Sequence, residues 1–546
     1  MEEKSLLLSP QIQHMNRLII LLLSIFTFQS VTKAQVLTES NLPIIVINSN
    51  GEEITNDGKV PASMKIFYKE DGSPNSISDT PTDYDSGIEI KLRGQSSLFL
   101  FDKKSYRLET VNEEGKDSTV NILGMPKESD WVLHGPFSDK SLMRNALLYT
   151  MADDILAFAP RVQMVEIIVN NDYKGIYLFT EKIKRDDSRV DIANLKNNDI
   201  TGIELTGGYI LKFDKADDEE IGWTSPYSKS AAQPTNFIFN EPAWDDIKPE
   251  QKTYIQNWIT EFENVLASNN FADPNDGYSK YINVESFIDH MLLNELSRNV
   301  DAYRLSTYMY KTKDKPNDLG QLYMGPVWDY NLAFGNADYC RGFDTGGWAY
   351  NFNEDCSEDY WQVHFWWLRL LEDPIFASEV KDKWMKLRNG KFSNANIKAW
   401  IDGFEAQLEV PQARNFQRWP VLGIYVWPNN FIGVTYKEEV DYLREWLMDR
   451  LNWMDQDLDI QLSVESEFTV DQLVITPNPA QDVLSVKGEI INENMSYEII
   501  SLEGRRFSKG TVGNSNEIQV NHLPKGSFIL MLIDGEKRYT KKFVKI

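Results

Sequence analysis

The hydrophobic period of the 546-residue chain changes twice, and those changes limit the folds open to it. Near the start, NLPIIVINSNG is a short apolar run closed by Asn and Gly, which predicts a strand and a turn. ASMKIFYK and GIEIKLRG alternate in the same way, the second ending in Arg93 and Gly94. EIIVNNDYKGIYLFTEKIKR predicts a hairpin about a turn at Asn170 to Lys174, and GGYILKFD, Gly207 to Asp214, one more strand. The period then lengthens. Between Pro249 and Leu266 the residues Ile255, Trp258, Ile259, Phe262, Val265 and Leu266 recur at helical spacing. Asn283 is placed to cap a helix whose apolar face is Val284, Phe287, Ile288, Met291, Leu292 and Leu296, and a long helix near Val440 to Met454 closes the unit. From about Val464 to Ile546 short alternation returns with a turn every ten residues or so, the pattern of a small β-sandwich. The expected fold is therefore α+β, followed by a small all-β domain.

The length alone calls for two or more domains, since single cores stop growing well below it. A net charge of −26 argues against nucleic acid as a partner, because phosphate-binding surfaces concentrate Lys and Arg. Residues 1–35 read as a cleavable secretory signal: Arg17, the apolar run Leu18 to Phe28, then small residues from Val31 to Ala34, with Gln35 near the mature start. No later segment reaches the roughly 18 apolar residues of a membrane span. Cys340 and Cys356 are the two cysteines, and export favours a disulfide between them over two free thiols. Two Cys and five His give no zinc spacing, so an oxygen-ligated ion such as magnesium or calcium fits better.

The stretch GPVWDYNLAFGN, Gly325 to Asn336, sets a carboxylate among aromatic residues. A carboxylate there needs a metal, an arginine or backbone donors; satisfying turn amides is the plainer reading. Asp301 precedes one alternating run and Asp329 follows a second, across the turn-rich KDKPNDLG, so an antiparallel pair would bring the two acids together. Such a pair suits a divalent ion with one carboxylate left to accept a proton; a turn cap with an Asp301–Arg304 ion pair is the structural alternative. Three basic clusters stand against the acidic background. They are Arg93 with Lys103, Lys104 and Arg107; Lys140 with Arg144, four apart as on one helical face; and Glu181 with Lys182, Lys184, Arg185 and Arg189. Singly each reads as a solvated face, and together they read as a site for a polyanion such as a triphosphate. No glycine-rich phosphate loop is present.

The ordered set RGQSS, KKSYRL, DKSLMRN, NNDYKGIYLFTEKIKR, GGYILKFD, NVDAYR and GPVWDYNLAFGN resembles the CotH family of spore-coat protein kinases and their secreted relatives. The resemblance spans about residues 42–457 and implies an atypical protein-kinase-like domain, placed at 36–462, that uses ATP with magnesium or manganese. By motif, Asp301 would be the general base, Asp329 the metal carboxylate and Lys104 the phosphate lysine. Arg93, Lys140 and Lys184 would add nucleotide contacts, and Glu181 and Arg144 would pair with the lysine or meet phosphate. Asn331 stands where many members carry a second Asp, and Ser306 where catalytic loops often carry Asn; both offer neutral oxygens to a metal.

The tail, placed at 463–546, is similar to the C-terminal sorting domain of the type IX secretion system. The matching texts are Pro477 to Pro479, Glu503 to Arg505, Leu523 to Phe528, with Phe where Tyr is commoner, and Lys541 to Lys545. These resemblances imply an exported protein kinase acting on Ser or Thr of an unidentified acceptor, delivered by the secretion machinery to the cell surface or medium. A surface adhesin that keeps the fold without chemistry is the alternative, with the aromatic stretch Trp348 to Trp367 as its contact surface or simply core. A two-carboxylate glycan hydrolase would account for Asp301 and Asp329 but for neither the basic clusters nor the motif order.

Overall fold

The computed structural model describes residues 37–215, 221–458, 474–488, 495–501, 506–513, 515–534 and 537–546. The signal segment 1–35 lies outside them. The chain divides into two compact units between Ile460 and Gln461.

The first unit opens with a closed barrel of seven strands: β1 Ile44–Asn48, β2 Val60–Phe67, β3 Tyr84–Arg93, β4 Ser105–Thr110, β5 Asp130–His134, β6 Val162–Val169 and β7 Asp172–Glu181. Their order around the barrel is β6, β7, β5, β4, β3, β2, β1, and parallel pairing of β1 with β6, Ile44 opposite Glu166, closes it. Closure removes the two edges an open sheet would expose. Alternation sends Ile45, Ile47, Met64, Ile66, Ile88, Ile90, Leu108 and Leu133 into one interior cluster with Trp131 and Phe179. The predicted hairpin is β6–β7. Val169 pairs with Asp172, so the loop is Asn170–Asn171, and both residues have positive φ (51° and 63°), the twist a two-residue hairpin needs and Asn tolerates.

Helix α1 is Arg144–Asp153, and it corrects one expectation. Lys140 and Arg144 do not share a helical face, because the helix begins at Arg144 and Lys140 lies in the turn before it. Asp139 causes the late start: its carboxylate accepts from the amides of Ser141 (3.1 Å) and Arg144 (2.8 Å), holding the chain in a turn until the helix begins.

A second, five-stranded sheet follows, made of β8 Tyr209–Phe213, β9 Ile221–Thr224, β10 Asn236–Glu241, β11 Thr307–Lys311 and β12 Leu322–Met324 in the order β9, β10, β8, β11, β12. Its neighbours include α2 Pro249–Ala267, which opens on proline, and α3 Val284–Ser297, whose Asn283 Oδ1 accepts from the Ser286 amide at 2.9 Å. The closing helix α4 is Tyr436–Asp457. Their apolar stripes join the largest core cluster, together with Trp366, Trp367 and Trp384, all of them fully buried. Of the aromatic stretch Trp348 to Trp367, Phe352, Trp366 and Trp367 are buried in this core, Trp348, Tyr350 and Phe365 pack partly buried against it, and Tyr360 is exposed. Cys340 and Cys356 are joined as a disulfide.

The second unit is a β-sandwich. Val474–Thr476, Val483–Lys487 and Glu517–Gln519 form one sheet; Arg506–Thr511, Ser496–Ser501, Gly526–Asp534 and Lys537–Lys545 form the other. Leu484, Val486, Ile499, Ile518, Leu530, Leu532 and Phe543 fill the space between them. Phe528 is buried against Phe543 and Phe507, ring centroids 5.7 and 5.2 Å away, so this position is filled by an apolar ring. Glu503 to Arg505 lie outside the described residues.

Candidate functional site

Strands β11 and β12 pair antiparallel, Met309 opposite Met324 and Lys311 opposite Leu322. Asp301, in the turn after α3, and Asp329, after the Gly325–Pro326 exit from β12, therefore return to the same end of the sheet. Asp329 holds a left-handed backbone, φ 63°, a strained conformation that persists only when its surroundings fix it. They do. Its amide donates to the Tyr149 hydroxyl on α1 (3.1 Å), its carbonyl accepts from Asn299 Nδ2 (3.2 Å), and the next amide, of Tyr330, donates to Asn145 Oδ1 (2.6 Å). Asp301 accepts from Arg304 Nη2 at 3.1 Å, and Arg304 also donates to Asp359 Oδ1 at 3.1 Å. The Asp301–Arg304 pair expected as an alternative to catalysis is present, and Asp301 faces the cavity as well.

Both aspartates line a cavity of about 380 Å³ between one end of the barrel and the second sheet. The barrel contributes Arg93 and the loop Gly94 to Ser97 after β3, and His134 at the end of β5. From the sheet side come Lys212, Asp214, Lys215, Ser306 and Tyr308, then Trp328, Asp329 and Asn331, while Tyr339 and Trp427, stacked at 5.8 Å, complete the wall. The volume lies in the range of small-ligand sites, roughly 300–1,000 Å³.

Three aspartates share this space, and the electrostatics register it. Loss of water, then the charge of Asp301, push the Asp329 carboxyl up to about 6, with Arg93 and Lys215 opposing. Burial raises Asp301 as well, offset by Arg304 and Lys215 and reinforced by Asp214. Burial and then Arg93 push His134 down to about 3, so its imidazole is neutral. The aspartates thus favour a bound cation. Among the described residues no group of three His, Cys, Asp or Glu side chains converges closely enough to hold a metal ion. The donors fit an ion held by one or two carboxylates whose other ligands are water and phosphate oxygens, the usual habit of magnesium.

The structure sorts the residues singled out from the sequence. Arg93, Asp301, Ser306, Asp329 and Asn331 come together around the cavity; Lys104, Lys140, Arg144, Glu181 and Lys184 do not line it. Lys104 Nζ donates to the carbonyls of Leu98 (2.6 Å) and Phe101 (2.5 Å). Lys140 donates to the Ile424 carbonyl (2.6 Å) and lies 3.8 Å from Glu439. Arg144 pairs with Asp139 (2.6 Å) and donates from Nε to the Ala333 carbonyl (3.0 Å), bracing the loop that carries Asp329. Glu181 pairs with Arg161 (2.8 Å) and Arg189 (3.5 Å), and Lys184 with Glu128 (3.1 Å) and Asp130 (2.9 Å). These groups are engaged by backbone carbonyls and by oppositely charged neighbours that do not line the cavity. Asp214 and Lys215 were not singled out, although charged residues directly after the apolar strand GGYILKF were the available signal.

The family model described as CotH kinase protein matches residues 90–454, and the model described as secretion system C-terminal sorting domain matches residues 474–546. No curated protein matches the chain.

Proposed function

Since this chain belongs to the CotH family and carries a type IX sorting tail that directs it to the cell surface or medium, we propose that it is an ATP-dependent protein kinase acting on Ser or Thr of exported proteins. The observation that carries the proposal is the meeting of Asp301 and Asp329 with Arg93 and Lys215 in one cavity. Phosphoryl transfer needs that division: cations on the phosphate oxygens, a metal-binding carboxylate, and a second carboxylate for the incoming hydroxyl.

In this reading Asp329, with the neutral oxygens of Asn331 and Ser306, holds magnesium or manganese. Bound there, the ion supplies positive charge to the phosphate oxygens. Asp301 accepts the proton of the acceptor hydroxyl as its oxygen bonds to the γ-phosphorus and the bond from that phosphorus to the bridging oxygen breaks, releasing ADP. Burial raises its pKa and so makes it a stronger base than an exposed carboxylate, and Arg304 keeps it oriented. The stacked pair Tyr339 and Trp427 forms one wall of the cavity.

Incubation of the full chain with labelled ATP and magnesium or manganese, beside Asp301→Ala and Asp329→Ala, tests this. Label reaching protein only with the native chain supports the kinase. Absence of transfer, with no rise in melting temperature on adding nucleotide, sinks it in favour of a binding protein built on the same fold.

A further inference from the structure

We infer that Lys215 is the residue that grips phosphate oxygens in this cavity, facing Arg93, while Lys104 holds the wall of the site without touching the ligand. The inference rests on the nucleotide reading above, and it moves the phosphate lysine from the barrel to the opposite sheet.

Among the described residues three cationic side chains line the cavity: Arg93, Lys212 and Lys215. Lys212 lies 3.3 Å from Asp214 and is engaged there. Arg93 and Lys215 have no carboxylate at ion-pair distance among the described residues, although three aspartates share their cavity. Arg93 rests over the Trp328 ring, 5.3 Å from its centroid. Lys215 Nζ is held by a neutral group, Ser96 Oγ at 3.1 Å, and lies 4.9 Å from the Trp361 ring centroid. A neutral hydroxyl is a weaker partner for an ammonium than a phosphate oxygen, whose negative charge adds ion-pair attraction to the hydrogen bond.

Placement agrees. Arg93 ends β3 on the barrel wall, and Lys215 stands two residues past the end of β8 on the other wall, so a phosphate chain between them meets a cation on each side. Gln95 Nε2 donates to the Lys215 carbonyl at 3.3 Å, so the Gly94 to Ser97 loop already reaches across to this residue. Lys104 is spent otherwise. Its ammonium satisfies two backbone carbonyls of that same wall, and its own carbonyl accepts from the Tyr177 hydroxyl at 2.8 Å.

The ligand class is a condensed phosphate chain, whether in a nucleoside triphosphate or as inorganic tripolyphosphate. Calorimetric titration of the purified full chain with magnesium ATP and with magnesium tripolyphosphate separates the two. Lys215→Met is expected to weaken both by roughly tenfold or more, with Lys215→Arg retaining most of the affinity, as loss of one charge-assisted contact requires. Lys104→Met is expected to lower the melting temperature and leave the affinity of the folded protein unchanged. Native-like affinity in a folded Lys215→Met chain overturns the inference and leaves the kinase reading standing. Binding of tripolyphosphate without ATP supports the grip and sinks ATP as donor; binding of neither by the native chain overturns both.

Discussion

The backbone amide of Asp329 donates to the hydroxyl of Tyr149 at 3.1 Å, tying a residue of left-handed conformation to the first turns of α1. Tyr149 also stacks on Trp328, ring centroids 6.2 Å apart, so the carboxylate is fixed from its own amide and from the residue before it. The Tyr149→Phe variant keeps the ring and removes the acceptor. An unsatisfied buried amide costs about 1–3 kcal/mol, so denaturant unfolding should show a loss of that size, and manganese affinity measured by spin resonance should fall with it. Unchanged metal affinity in a destabilised variant would assign the orientation of Asp329 to Asn299 and Asn145 instead.

A second prediction concerns acid. Burial pushes His290 down to about 3, in a core where Asn294 bonds it and Trp367 stacks at 5.8 Å. The unfolded chain takes up a proton near pH 6.5 that the folded chain refuses. Stability from this group is therefore fully present above about pH 6.5 and is lost as pH falls toward 3, at up to about 1.4 kcal/mol per pH unit. His290→Gln removes one proton from that slope. Parallel pH profiles of unfolding free energy for the two proteins would contradict the assignment.

The disulfide joins Cys340, next to the cavity residue Tyr339, to Cys356. Closing a loop of this length stabilises by about 3 kcal/mol in the chain-entropy description. The Cys340→Ser, Cys356→Ser double variant should lose stability of that order, seen in denaturant unfolding. Because Tyr339 stacks on Trp427, nucleotide affinity should weaken as well. A variant equally stable and equally tight would show that the surrounding ion pairs of Asp355 with Arg298 and Arg341 hold the loop alone.

Much of this architecture was legible because the strands and helices carry uninterrupted periods. The hairpin turn, placed at Asn170 to Lys174 and found at Asn170–Asn171, the Asn283 cap and the antiparallel return that brings Asp301 and Asp329 to one end all follow from local spacing. Side-chain partners did not follow. The Lys104, Arg144, Glu181 and Lys184 charges looked available in the sequence, yet Lys104 and Arg144 donate to backbone carbonyls, Glu181 meets arginines and Lys184 meets acids, partners that barrel closure and the loops around it bring close and that the sequence clusters do not reveal. For the same reason Asp214 passed unnoticed: its meeting with Asp301 and Asp329 depends on β8 pairing with β11, Phe213 opposite Thr307, across some ninety intervening residues.

Asn331 offers the sharpest test of how the cavity handles charge. It lines the site two residues after Asp329, and as an amide it can offer a metal only a neutral oxygen. Asn331→Asp adds an anionic ligand, and ligand charge count is one of the main controls on affinity for hard cations, so manganese binding should tighten by roughly tenfold. The same charge joins Asp214, Asp301 and Asp329 in a space where Asp329 is already pushed up to about 6 by burial and Asp301. Without metal the added carboxylate repels the others once they ionise, so the metal-free variant should melt below the native chain above pH 6 and recover on adding manganese. Both effects have one cause and must appear together. Tighter binding without metal-free destabilisation would mean that the new carboxylate turns away from the aspartates, and destabilisation without tighter binding would remove Asn331 from the metal shell.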